Sequence, residues 1–163
     1  MSDKGLLANK RVLVVDDEKD VLDLIEELLP MCAVVKAASF EQAAELLENR
    51  FFDLAVLDIM GVDGYKLLEI ATRQEITAVM LTANALSPED TIKSFKKGAA
   101  YYIPKENMSE IASYLTEVLE DKDKGRNPMA RWLDKWVSFY DRRFGPDWKN
   151  KDKEFWENFP DWD

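Results

Sequence analysis

Three carboxylates, a hydroxyl and an ammonium each stand directly after a short apolar run in this chain. Asp16 and Asp17 follow Val12-Leu13-Val14-Val15, and Asp58 closes Leu54-Ala55-Val56-Leu57. Thr82 closes Ala78-Val79-Met80-Leu81, and Lys105 follows Tyr101-Tyr102-Ile103 through Pro104. Carboxylates crowded together resist ionisation unless a cation stands among them. Mg2+ answers that need, since it takes about six oxygen ligands, keeps several waters and uses one or two carboxylates. Asp17 and Asp58 suit direct ligation, Asp16 binds directly or through water, and the backbone carbonyl of Met60 is within reach. A carboxylate such as Asp58 also serves as a nucleophile toward a phosphoryl centre, giving an acyl phosphate. The metal and Lys105 would neutralise the transferring oxygens, and Thr82 would donate a hydrogen bond to one of them. Taken singly, Asp16-Asp17 reads as loop acids, Lys105 as a solvated charge and Thr82 as a turn residue. Their succession at four strand ends carries the chemical reading.

Groups at the carboxyl ends of strands meet only if those strands run parallel and share an edge, which is where ligands bind in open α/β sheets. Apolar runs near 12–15, 32–37, 54–57, 78–81 and 101–103 alternate with segments of three- and four-residue apolar spacing. Val21, Leu24, Ile25 and Leu28 form one such face; Ala43, Leu46 and Leu47 form another, followed by Leu67, Leu68 and Ala71. Ile92, Phe95 and Lys96 make a weaker face, and Ile111, Leu115, Val118 and Leu119 a clear one. Ser39 with Gln42 reads as a capping box, and Ser87-Pro88 as a cap followed by proline at the first helical position. Five β–α units with unbroken apolar strands predict an α/β fold, a doubly wound parallel sheet covered on both faces. Strand order 2-1-3-4-5 would set Asp16 and Asp17 beside Asp58, in the crevice where the winding reverses.

A chain of 163 residues suffices for one domain and an appendage. With 47% hydrophobic and 33% charged residues it reads as soluble and globular. Signal-peptide and membrane-length apolar patterns are missing, and Cys32 reads as a small core residue, so the expected location is the cytoplasm. The net charge of −10 resides in residues 1–120, which hold 22 acids and 12 bases; residues 121–163 hold 10 of each. Neither part has the basic excess of a DNA-binding protein.

A charged, glycine-containing break at Glu120–Arg126 divides a domain of residues 1–120 from a tail of 121–163. All five tryptophans lie in that tail. Asn127-Pro128 as cap and first turn, with Gly145-Pro146 as stop, predict a helix over 128–144. Met129, Trp132, Trp136, Tyr140 and Phe144 share one stripe of it, widened by Leu133 and Val137. A shorter helix is expected near 151–158, with Phe155 and Trp156. The stripe either packs on the chain's own domain or forms an interface with a second copy or another protein, with Trp132, Trp136, Tyr140 and Phe144 as contact residues. A membrane surface fits poorly, because such helices are usually basic on their polar face.

Over residues 10–120 the chain resembles the receiver domain of two-component response regulators. The resemblance rests on Val-Leu-Val-Val-Asp16-Asp17-Glu18, Leu57-Asp58-Ile59-Met60 with Asp63-Gly64, Leu81-Thr82-Ala83, and Gly98-Ala99-Ala100-Tyr101-Tyr102-Ile103-Pro104-Lys105. It implies a flavodoxin-like fold and a phosphoryl group taken by Asp58 from a sensor histidine kinase or phosphotransfer protein. It further implies Mg2+ on Asp16 and Asp17, phosphate contacts from Thr82 and Lys105, and a Tyr102 rotamer that changes with Thr82. The signalling face would be the fourth helix, fifth strand and fifth helix of the repeating series. Two departures stand out. The loop Met60–Gly64 is shorter than the family's usual one, and Lys105 precedes Glu106 where the family commonly has a cis proline. A cis Lys–Glu bond would cost about 2.5–4 kcal/mol, so a trans bond is expected.

The function expected is therefore a receiver, not a classical enzyme, that catalyses only its own phosphorylation and dephosphorylation. It would signal by protein contacts, through a downstream protein or a homodimer, without direct DNA or membrane binding. One alternative is a Mg2+-dependent phosphohydrolase with an aspartyl-phosphate intermediate, which typically wants an acid where Met60 stands. The other is a receiver-like scaffold that is never phosphorylated.

Overall fold

The computed structural model describes residues 3–83, 87–152 and 155–156. Five strands, β1 (Arg11–Val15), β2 (Ala33–Ala37), β3 (Leu54–Asp58), β4 (Ala78–Thr82) and β5 (Tyr101–Pro104), form one parallel sheet ordered β2-β1-β3-β4-β5. The expected order holds. Every residue of β3 and β4 is buried, which explains why their sequences are continuously apolar rather than alternating. Edge strand β2 is only partly buried and accordingly tolerates Lys36.

Helices α1 (Asp3–Leu7), α2 (Lys19–Leu28), α3 (Phe40–Asn49), α4 (Gly64–Arg73), α5 (Pro88–Lys96), α6 (Ile111–Asp123) and α7 (Pro128–Phe144) surround the sheet. Local chemistry fixes several of their starts. Ser39 Oγ accepts from the Gln42 N–H at 3.2 Å, and the Gln42 side chain accepts in return from Ala38 N–H at 3.1 Å. Ser87 Oγ accepts from Asp90 N–H and Asn127 Oδ1 from Met129 N–H, each ahead of a first-turn proline. Helix α7 has the span expected for it.

The short helix α1 was not legible. Its Leu7 is fully buried, and the segment packs against α6, which adds an apolar contact to the outer layer. Beyond α7 the chain forms a 3-10 turn at Trp148–Asp152, where a helix near 151–158 was expected; residues 155–156 are helical. Positions 153–154 and 157–158 of that expected helix lie outside the described residues. The turn between α6 and α7 comes after Asp123, at Gly125, whose φ is +70°. Among the described residues no helix is long and apolar enough to cross a membrane.

Candidate functional site

Strand register brings the polar ends together. Val15 pairs with Leu57, Asp58 with Leu81 and Thr82 with Pro104, so the residue after each strand emerges at one level of the sheet edge. Lys105, in the 3-10 turn Lys105–Glu110, reaches back across that edge. Its Nζ lies 2.7 Å from Asp16 Oδ2, 3.5 Å from Glu18 Oε1 and 3.6 Å from Asp58 Oδ1. Asp16, Asp58 and Thr82 are buried, Asp17 and Glu18 exposed. Glu18 is the residue that motif reasoning passed over; the run of three acids was its signal. No cis peptide occurs among the described residues, so Lys105 meets the acids through a trans bond.

Backbone details hold the acids in place. Asp16 Oδ1 accepts from the Glu18 N–H at 2.9 Å, a local turn that carries the chain from β1 into α2. The shortened loop after β3 closes with two left-handed residues, Gly61 at φ +83° and Asp63 at φ +54°. A Cβ on Gly61 would stand 2.7 Å from the Asp17 carboxylate, so only glycine lets this backbone lie against that acid. Met60 itself is 62% exposed.

Burial disfavours charge on Asp58, and the neighbouring Asp16 adds to this, so the Asp58 pKa is pushed up to about 7 although Lys105 works the other way. Asp16 is also raised, chiefly by burial, against the pull of Lys105. Burial works against the Lys105 ammonium, yet its bond to Asp16 and the charges of Asp58, Asp16 and Glu18 outweigh it and raise its pKa. An acidic cluster of this kind favours a cation. Carboxylate oxygens of Asp16, Asp17 and Glu18 lie within 4.8 Å of one another, a spacing one metal ion can span. Asp16 Oδ2 is buried and pairs with the Lys105 ammonium at 2.7 Å. An all-oxygen donor set of one buried and two exposed carboxylates fits a hard divalent cation such as Mg2+.

Beside the site, Tyr102 is fully buried on β5, its hydroxyl among Thr82, Thr91 and the Ser87 backbone. The tail covers it. Trp132 and Tyr140, read from sequence as contact residues for a partner, are buried within the chain's own core, so the intramolecular alternative holds for both. Trp136 and Phe144 are half-buried against the same core. Trp132 packs edge-on against Phe95 and Tyr102, and Tyr140 packs against Trp132, Phe144 and Trp148. Arg131 reaches Asp121 at 2.9 Å and Glu120 at 3.2 Å, which ties α7 to α6 along its polar flank.

Fold and site together define a receiver-type domain, and comparison with known proteins agrees. The profile described as response regulator receiver domain matches residues 12–116. The chain belongs to that family. It is 34% identical over 128 residues to the two-component response regulator ARR12 of Arabidopsis thaliana, covering 72% of this chain and 21% of that protein. To the transcriptional regulatory protein CpxR of Escherichia coli K12 it is 33% identical, covering 67% of this chain and 49% of that one. The chain thus spans from a fifth to about half the length of these relatives. A CheY-like response regulator receiver domain protein from Methanospirillum hungatei JF-1 superposes with a TM-score of 0.65 at 32% identity, covering 72% of this chain and 99% of that one. The family profile ends at residue 116, before α7 begins.

Proposed function

We propose that the chain accepts a phosphoryl group on Asp58 from a sensor histidine kinase or phosphotransfer protein, with Mg2+ in the acidic crevice, and reports it by protein contacts. The observation that carries this reading is Lys105 Nζ between Asp16 and Asp58, at 2.7 and 3.6 Å. Asp58 Oδ forms the new O–P bond as the donor's N–P bond breaks, and the freed imidazole leaves with the nitrogen electron pair. Lys105 faces the transferring oxygens, while Thr82, one strand over, offers its hydroxyl to one of them. Asp16, Asp17 and Asp58, with the Met60 carbonyl, are the proposed metal ligands, and Glu18 stands close enough to act through water. When bound, Mg2+ would screen the negative charge of the incoming phosphoryl group. Burial of Asp58 keeps bulk water from its carboxylate, which protects the acyl phosphate once made.

A phosphohydrolase would need an acid to protonate its leaving group, and Met60 supplies none two residues after Asp58. Intact mass after incubation with Mg2+ and acetyl phosphate tests the proposal. A gain of one phosphoryl group, lost in Asp58→Asn, is the expected result. No gain, or steady turnover of phosphoesters, would sink it.

A further inference from the structure

The tail does more than cover β5, because its buried hydroxyl enters the polar cluster next to the acceptor site. Tyr140 is fully buried, and its hydroxyl is hydrogen-bonded to Thr91 Oγ1. Thr91 has one hydroxyl proton, which it donates to the Ser87 carbonyl at 2.6 Å. Tyr140 must therefore donate to Thr91. Thr91, the Ser87 backbone and Thr82 all neighbour the Tyr102 hydroxyl, which lacks a well-aligned partner. A second tie runs from Trp132, whose indole N–H donates to the Tyr102 carbonyl at 2.8 Å. Tyr140, Thr91 and the Ser87 carbonyl thus form one hydrogen-bonded chain under α7, and the buried Tyr102 and Thr82 hydroxyls lie beside it toward the sheet edge.

We propose that α7 is a latch coupled to the acceptor site through Tyr140, Thr91, Tyr102 and Thr82, so that a phosphoryl group on Asp58 tightens its docking. The inference rests on the acceptor role proposed for Asp58. A phosphoryl oxygen that takes the Thr82 hydroxyl removes one of the neighbours of the Tyr102 hydroxyl. Tyr102 then depends on Thr91 and the Ser87 backbone; Tyr140 holds Thr91, and Thr91 in turn holds the Ser87 carbonyl. The phosphorylated domain accordingly favours the docked tail, and by reciprocity the docked tail favours the phosphorylated domain. The output would be a change in how long α7 stays closed over β5, in a part of the chain that the family profile does not reach.

Amide hydrogen exchange across Arg131–Tyr140, in Mg2+ with and without acetyl phosphate, tests the coupling while intact mass follows Asp58. Exchange should slow by about fivefold or more in the phosphorylated protein. Tyr140→Phe should keep the phosphoryl mass and lose the slowing. Unchanged or faster exchange in the phosphorylated protein overturns the latch. A double-mutant cycle of Thr82→Val and Tyr140→Phe in the unphosphorylated protein reads the relay alone. The double variant's unfolding constant should depart from the product of the single effects by about twofold or more. Simple multiplication overturns the relay. Absence of any phosphoryl mass sinks the acceptor role instead, and the cycle still decides whether Tyr140 and Thr82 are linked.

Discussion

The indole N–H of Trp132 is bonded to the Tyr102 carbonyl, across 30 residues of sequence, and both groups are buried. Strand β5 is the sheet's edge on this side, so that bond joins α7 to the last strand of the sheet. Orphaning a buried acceptor costs about 1–3 kcal/mol, and removing a buried indole about 3–5 kcal/mol. Trp132→Phe should therefore destabilise the chain measurably and Trp132→Ala severely. Urea unfolding followed by circular dichroism checks the order; equal stability of wild type and Trp132→Ala would show that α7 does not dock.

Gly61 offers a cleaner handle on the site, since it belongs to no element. Its left-handed φ and its approach to Asp17 both penalise a side chain. Gly61→Ala should displace the Asp17 carboxylate and weaken Mg2+ binding about tenfold or more, the range seen when groups that orient metal ligands are lost. Calorimetric titration with MgCl2 would read this, and an unchanged affinity would remove Asp17 from the ligand set.

The strand ends were legible because each apolar run stops on a polar residue, and parallel pairing sends all such stops to one edge. That logic found Asp16, Asp58, Thr82 and Lys105 without any contact being known. It passed over α1, since the five residues Asp3–Leu7 are too short to show a helical period. It left the destination of the α7 stripe open for another reason. Trp132 and Tyr140 present the same pattern whether they bury against β5 or against a second protein. The Tyr140–Thr91 bond lies beyond any local pattern, since 49 residues separate its ends.

Cys32 tests the core reading of a residue near the edge strand. Burial, with a smaller contribution from Asp53, pushes its thiol up to about 11. At pH 8 the thiolate fraction is then about a thousandth, against about a quarter for a free thiol near 8.5. Iodoacetamide should modify folded protein at least tenfold more slowly than urea-unfolded protein. The folded state also keeps its proton where the unfolded thiol has lost it, so this group's contribution to stability falls as pH rises from about 8.5 to about 11. Equal alkylation rates would place Cys32 in solvent.

Acid and metal act on the crevice in opposite senses. Without metal, Asp58 binds its proton near pH 7 when folded and near 4 when unfolded. Between those values the folded state holds more protons, so this group stabilises the metal-free fold in mild acid and that contribution is lost as pH rises through 7. Mg2+ needs the deprotonated carboxylates, so its binding strengthens over the same interval and releases protons. The rise in Tm on adding Mg2+ should be larger at pH 8 than at pH 5. Asp58→Asn should raise the metal-free Tm at pH 8 and reduce the Mg2+ effect there, since one repelling charge and one ligand are removed together. Thermal scans in EDTA and in MgCl2 at both pH values decide the matter. Equal Mg2+ shifts at the two pH values would mean that the ion binds elsewhere than among Asp16, Asp17 and Asp58.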